Sequence, residues 1–214
     1  ENALNKHGVT IAQILLSPDD TEQRRRHLNA RATISTLLSL NVVPIINEND
    51  TVTTKELRFG DNDRLGARVA QMVSADTLIL LSDVDGLYNR DPRLDKTAYH
   101  IPIVEKITSE IEAMAGIATT NYSSGGMITK LAAARIANTA GCHMIIANGT
   151  ILNPIRAIEN GAKSTWFQAS STPHGARKAW IASAINPSGM IFIDQGAASA
   201  IVNGRSLLPA GVLE

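Results

Sequence analysis

Four short apolar runs, "VTIAQILL" (9–16), "VVPII" (42–46), "TLILLS" (77–82) and "HMIIA" (143–147), are separated by stretches in which apolar residues recur at helical spacing. This alternation constrains the fold more than any other feature. Apolar residues at successive positions, many of them β-branched, predict strands buried on both faces, and helices between such strands predict a parallel sheet. The helical stretches run from Asp19 or Asp20 to about Leu40, with Leu28, Ala32, Leu37 and Leu38 on one face; over 63–74, with Leu65, Val69 and Met72; and over 127–139, with Ile128, Leu131, Ala132 and Ile136. The expected fold class is therefore α/β, an open, mainly parallel sheet with helices on both faces. In such sheets ligands sit beyond the carboxyl ends of the strands.

The texture changes after Phe167. "QASSTPHGARKAWIASAINPSG" reads as a linker holding one short strand around Trp180 and Ile181, and "MIFIDQGAASAIVNGRSLLPAGVLE" reads as the start of a small β-rich domain. The expected organisation is a main domain over 1–168, a linker over 169–188 and a second unit over 189–214. At the other end, "ENALNKHGVT" carries no initiator Met and reads like the tail of a helix passing through His7-Gly8 into a strand, so a preceding segment is expected.

Charge and composition exclude several classes of partner. Twenty basic and twenty acidic residues balance, at a sequence pI near 7.2, so no global field would hold nucleic acid or an anionic membrane. Aromatic residues make up 4% of the chain, few for a surface that stacks RNA bases. A single cysteine, Cys142, cannot form an internal disulfide and has no metal-type pairing nearby, which suits a reducing cytoplasm. No apolar run reaches the ~20 residues of a membrane span, and the N-terminus lacks a signal-peptide pattern.

Three stretches can carry chemistry. In "INENDTVTTKELRFGDND" (46–63), Asn47, Glu48, Asn49 and Asp50 follow a predicted strand, and Asp61, Asn62 and Asp63 open a predicted helix. Each cluster alone is ordinary turn and cap chemistry. Converging on one small polar molecule, the carboxylates could hold an ammonium group and the amides carboxylate oxygens. In "SSGGMITK" (123–130), Ser123 or Ser124 can cap a helix while Gly125 and Gly126 let the backbone approach an anion, with Lys130 one turn inside. The order is not that of a P-loop, because Thr129 precedes Lys130. In "TLILLSDVDGLYNRDPR" (77–93), a buried strand delivers Ser82 and Asp83 to the carboxyl edge before an Asp85-Gly86 turn.

In order and spacing, "VVPIINENDTVTTKELRFGDND", "LILLSDVDGLYNRDPR" and "GGMITKLAAARIANTAG" resemble the amino acid kinase family. The paired acid-amide clusters resemble the branch that phosphorylates glutamate; the Gly-Gly-Met-x-Thr-Lys helix start is shared more widely. The trailing "GMIFIDQGAASAIVNGRSLLPAGV" is similar to the entry of a PUA domain. The resemblance implies a three-layer sandwich and ATP-dependent phosphorylation of the glutamate γ-carboxylate, the first step of proline synthesis, with Mg²⁺.

It further implies that Asp50, Asn62 and Asn47 bind glutamate and that Ser82 and Asp83 contact the nucleotide. Ser124, Gly125, Gly126, Met127, Ile128, Thr129 and Lys130 would form the nucleotide-binding loop. Lys130 would stabilise transition-state charge, and Asp61 and Asp63 would organise the lysines and Mg²⁺; no dedicated protein metal site is expected. A homo-oligomer, dimer or tetramer, is implied, with RNA contact through the PUA-like piece as a further option. Two departures stand out: family members begin with a glycine-rich strand and a phosphate-contacting lysine, which this chain starts after, and Ser123-Ser124 replaces a common Gly-Thr pair. The alternatives are a sister activity on acetylglutamate, aspartate, carbamate or UMP, and a non-catalytic nucleotide- or RNA-binding module.

Overall fold

The computed structural model describes residues 2–51, 62–116, 126–176 and 191–212. The chain divides into two compact units, Glu1–Arg177 and Lys178–Glu214. In the first, a short helix α1 (Asn2–Asn5) ends through backbone bonds from His7 and Gly8 to the carbonyls of Leu4 and Asn5, with Gly8 at φ +69°. This is the helix tail read from the sequence, closed by a glycine that tolerates the left-handed conformation.

Strand β1 (Ile11–Leu16) pairs in parallel with β2 (Val43–Glu48), Ile11 opposite Val43 and Leu16 opposite Glu48. The connection carries two helices, α2 (Pro18–Glu22) and α3 (Arg24–Ser39), rather than one continuous helix from Asp19 or Asp20 to Leu40. The interruption is local: Gln23 is extended, with ψ 117°, and ends one helix while starting the next. Asp20 secures the entry by accepting bonds from the Ser17 backbone N–H at 2.7 Å and hydroxyl at 2.6 Å.

The larger sheet contains β3 (Thr77–Ser82), which follows α4 (Asn62–Val73), and three later strands. A small antiparallel hairpin, β4 (Leu87–Tyr88) with β5 (His100–Ile101), leads to β6 (Ile103–Val104) and α5 (Ser109–Gly116). Then come α6 (Met127–Thr139), β7 (His143–Asn148), α7 (Pro154–Glu159) and β8 (Ser164–Phe167). The strand order is β3-β7-β8-β6, with β3 and β7 parallel, β7 and β8 antiparallel, and β8 and β6 parallel.

The expectation of strands buried on both faces holds for β7, where Met144 to Ala147 are buried. It fails for β1 and β2. Leu15, Val43 and Ile45 are 44%, 42% and 45% exposed, because among the described residues α3 and α4 pack against β2 and burial alternates along it. The core lies instead between α4, α6 and the larger sheet. Ala67 and Ala70 on α4 and Ala133, Ala134 and Ala137 on α6 are buried, and these small side chains let the two helices approach closely. Phe167, Met144 and Ile146 fill the space beneath.

The described part of the second unit, residues 191–212, contains helix α8 (Gln195–Val202) and a 3-10 turn at Pro209–Gly211. Its strand content is a single antiparallel bridge, Ile193 to Val212, rather than the run of strands expected. Asp194 starts the helix by accepting the Ala197 N–H at 2.6 Å, and its own N–H donates to Gly211 at 3.0 Å. The strand read around Trp180 and Ile181 lies outside the described residues.

Candidate active site

Helices leading into parallel strands run back along the sheet, so α4 before β3 and α6 before β7 both begin at the carboxyl edge. Their first turns meet there. Lys130 Nζ donates to Asp63 Oδ2 at 3.0 Å, with the two side chains 8% and 18% exposed. Asp63 also lies in the first turn of α4, where the helix dipole favours a carboxylate. Cap chemistry and pairing to Lys130 therefore act on one residue and do not compete.

The start of α6 differs in detail from the sequence reading. Gly126, at φ −73° and ψ 179°, occupies the N-cap position and supplies no side-chain bond; Ser123 and Ser124, the residues expected to cap, lie outside the described residues. The Thr129 hydroxyl closes the turn, 2.7 Å from the Gly126 carbonyl and 3.1 Å from Asp63 Oδ2. The Thr129 backbone N–H also donates to Gly126, at 3.0 Å. Those of Met127 and Ile128 precede any intrahelical carbonyl they could reach, as helix starts require, and can serve an anion. A Cβ built on Gly126 meets no described residue within 4 Å.

At the same edge, β3 ends at Ser82, whose hydroxyl donates to Asp83 Oδ1 at 3.0 Å. Directly opposite in register is Asn148, the last residue of β7. Its Oδ1 accepts from the Thr150 N–H and hydroxyl, and the next residue, Gly149, donates its N–H to Ser82 O at 2.7 Å. A Cβ at Gly149 would fall 2.8 Å from that of Leu81, so the strand ends are drawn together by a backbone only glycine allows. Asn148-Gly149 was not singled out in the sequence, although the same signal, a polar exit from an apolar strand, marked Ser82-Asp83.

A model of the amino acid kinase family matches residues 1–148, which include Asp63, Ser82, Thr129, Lys130 and Asn148. The chain belongs to the amino acid kinase family. It is 58% identical over 214 residues to a glutamate 5-kinase of Paramagnetospirillum magneticum and 59% identical over 210 residues to one of Gluconobacter oxydans. It spans 58% and 56% of the length of those relatives, which cover 100% and 98% of it. Among solved structures, a UMP kinase from Ureaplasma parvum matches with a TM-score of 0.53 at 15% identity, covering 78% of this chain and 63% of that one. An isopentenyl phosphate kinase matches with a TM-score of 0.52, also at 15% identity over 78% of this chain and 63% of its own. These structural likenesses establish the amino acid kinase fold.

Within this fold, Asp63, Thr129 and Lys130 are in direct contact, and Ser82 and Asp83 sit at the carboxyl end of β3. Asn47 and Glu48 are the last residues of β2 instead of following it, and the Asn49 N–H donates to Leu16 O at 2.8 Å. Asp50 follows in a turn, and Asn62 opens α4 exposed to solvent. Asp61, Ser124 and Gly125 lie outside the described residues.

A polar cluster between the β4–β5 hairpin and β8 was not legible from spacing. Lys163 Nζ approaches the Tyr88 hydroxyl at 3.3 Å and Asp85 at 3.9 Å, and that hydroxyl donates to Asp85 at 3.2 Å. Beneath it the buried Thr165 hydroxyl accepts the Leu87 N–H at 2.7 Å and donates to Ile101 O at 2.6 Å. With its one proton given to Ile101, it can only accept from His100 Nε2 at 3.3 Å, which fixes the Nε2–H tautomer. Burial holds the His100 imidazole below its ordinary range; Asp85 opposes the shift and Lys163 adds to it.

Among the described residues, no three His, Cys, Asp or Glu side chains group as a metal cage. Mg²⁺ in phosphoryl-transfer sites is held chiefly by phosphate oxygens, waters and one or two carboxylates. Among the described residues, a single carboxylate, Asp63, beside helix-start N–H groups fits a metal that arrives with a nucleotide.

Proposed function

We propose that this chain is part of a glutamate 5-kinase, transferring the γ-phosphoryl group of ATP to the γ-carboxylate of L-glutamate in the first step of proline biosynthesis. The observation that carries the reading is the likeness at 58% identity along all 214 residues to a glutamate 5-kinase. The rim geometry supports the reaction type. A carboxylate nucleophile is already ionised at neutral pH and needs no base, so the site has only to align reactants and neutralise charge.

Lys130 supplies the positive charge that stabilises the transferring group, and Asp63 holds its ammonium in place. The N–H groups of Met127 and Ile128, with Gly126 and the outlying Ser124 and Gly125, cradle phosphate; Ser82 and Asp83 contact the nucleotide. Asp50 binds the substrate ammonium, and Asn47 and Asn62 its carboxylate oxygens. Asp61, with Asp63, orders the cations. Mg²⁺ bound with ATP would neutralise phosphate charge, with Asp63 as the described carboxylate placed to meet it. A cytoplasmic homo-oligomer, with residues 189–214 as the start of a PUA-like domain after a linker, completes the proposal. No described helix is long and apolar enough to cross a membrane.

The test is glutamate-dependent ADP release by the complete gene product, with acetylglutamate, aspartate, carbamate and UMP as competing acceptors. Release that depends on one of those acceptors and not on glutamate overturns the assignment.

A further inference from the structure

The helix start at Gly126 contains a side chain whose geometry separates it from its neighbours. In a loop read as nucleotide-binding, every residue is expected to face the phosphates. Thr129 does not have the groups free to do so. Its backbone N–H donates to the Gly126 carbonyl at 3.0 Å, and its hydroxyl lies between two acceptors, that carbonyl at 2.7 Å and Asp63 Oδ2 at 3.1 Å. A hydroxyl has one proton, here shared in a three-centre bond, so no donor of Thr129 remains for a ligand.

We infer that Thr129 is a positioning residue for Lys130, tying the Asp63 carboxylate to the first turn of α6 so that the ammonium is presented in one orientation. The inference rests on the role proposed for Lys130. Asp63 Oδ2 receives two donors from consecutive residues of α6, the Thr129 hydroxyl at 3.1 Å and Lys130 Nζ at 3.0 Å. Two donors at one oxygen hold the carboxylate rotamer, and the held carboxylate is one of the contacts that orient the amine. With the hydroxyl removed, the Lys130 pair would persist, but the carboxylate could turn about its own bond and carry the charge out of line. Misplacement of that kind slows transfer without weakening nucleotide binding.

Three variants of the complete gene product decide this, with AMP-PNP affinity measured by calorimetry alongside steady-state kinetics. Thr129→Val should lower kcat about tenfold and leave AMP-PNP affinity within about twofold. Thr129→Ser, which restores a hydroxyl, should recover most of that loss. In an Asp63→Asn background the Thr129→Val change should have little further effect, because the residue acts through Asp63. A fall in AMP-PNP affinity with Thr129→Val would make Thr129 a nucleotide ligand and overturn the inference. So would an unchanged kcat, a Ser variant no better than Val, or full additivity with Asp63→Asn. A Lys130→Ala variant with undiminished turnover would instead sink the underlying reading of Lys130, which keeps the two failures apart. Circular dichroism melts of each variant check that the fold is retained.

Discussion

Lys130 and Asp63, 67 residues apart in sequence, meet at 3.0 Å because the helices that carry them both start at the carboxyl edge of the larger sheet. A lysine this enclosed needs a counter-ion, and a carboxylate at a helix start needs a reason to face inward.

Lys130→Met should therefore act on two quantities at once. Turnover should fall about 100-fold or more, the usual effect of removing one group that stabilises developing charge. Stability should fall by about 2 kcal/mol, less than for a fully buried pair because Asp63 keeps some access to water. Steady-state kinetics and urea unfolding of the same preparation measure both.

Gly126→Ala separates fold from ligand. The added methyl meets no described residue within 4 Å and the backbone angles suit any residue, so unfolding free energy should drop by less than about 1 kcal/mol. If this helix start holds phosphate as proposed, the methyl would intrude on it. The KM for ATP should rise at least severalfold, as read from initial rates at saturating glutamate.

Gly86→Ala should be far more damaging. Gly86 sits at φ +151°, and a Cβ there would lie 2.5 Å from Thr165 Oγ1 and 2.6 Å from His100 Nε2. Strain combined with a displaced buried hydroxyl should cost about 3 kcal/mol or more. Thr165→Val, which removes the hydroxyl that serves the Leu87 N–H and Ile101 carbonyl, should cost about 2 kcal/mol. Denaturant midpoints check both.

His100 makes stability depend on acidity. Burial favours the neutral ring, so its folded-state value lies below the ordinary 6.5. Its contribution is fully present above that ordinary value and is lost as pH falls through the lower folded one. Unfolding midpoints should decline below pH ~6.5, and His100→Gln should flatten the decline.

Cys142 gives the opposite sign. Burial first, and then the nearby Asp76 charge, raise its thiol from 9.0 to about 11. The neutral thiol stabilises the fold fully below pH 9.0, and that contribution fades as pH rises toward about 11. Iodoacetamide at pH ~8.5 should leave the folded protein unmodified over times that label the urea-unfolded chain completely.

Much of this architecture was legible because local pattern and tertiary role coincide. The run "TLILLS" is β3 and residues 127–139 are α6, as their apolar spacing predicts, although the buried face of α6 runs through Leu131, Ala133, Ala134 and Ala137 while Ile128 is exposed, and in β3 Leu80 is buried while Leu81 is exposed. Gln23 was not legible as a break, because nothing in its type forbids a helix, yet its backbone is extended there and its N–H closes the preceding turn on Asp19 O. The acids at 61–63 and Lys130 could be read as candidates, but the identity of the pair could not, since 67 residues of topology intervene. The Thr165 hydroxyl was invisible for the same reason. A threonine in an apolar run reads as strand filler until the hairpin at 87–101 folds over it.

The placement of β7 between β3 and β8 has a consequence for how the molecule comes into being. About sixty residues must leave the ribosome after β3 before its partner exists, several seconds or more at ordinary rates of synthesis. Throughout that interval Leu78, Ile79 and Leu80 lack the β7 strand that covers their edge in the folded protein. A holdase chaperone that grips extended apolar segments should find its best foothold there, and should lose it once "HMIIAN" slides into place.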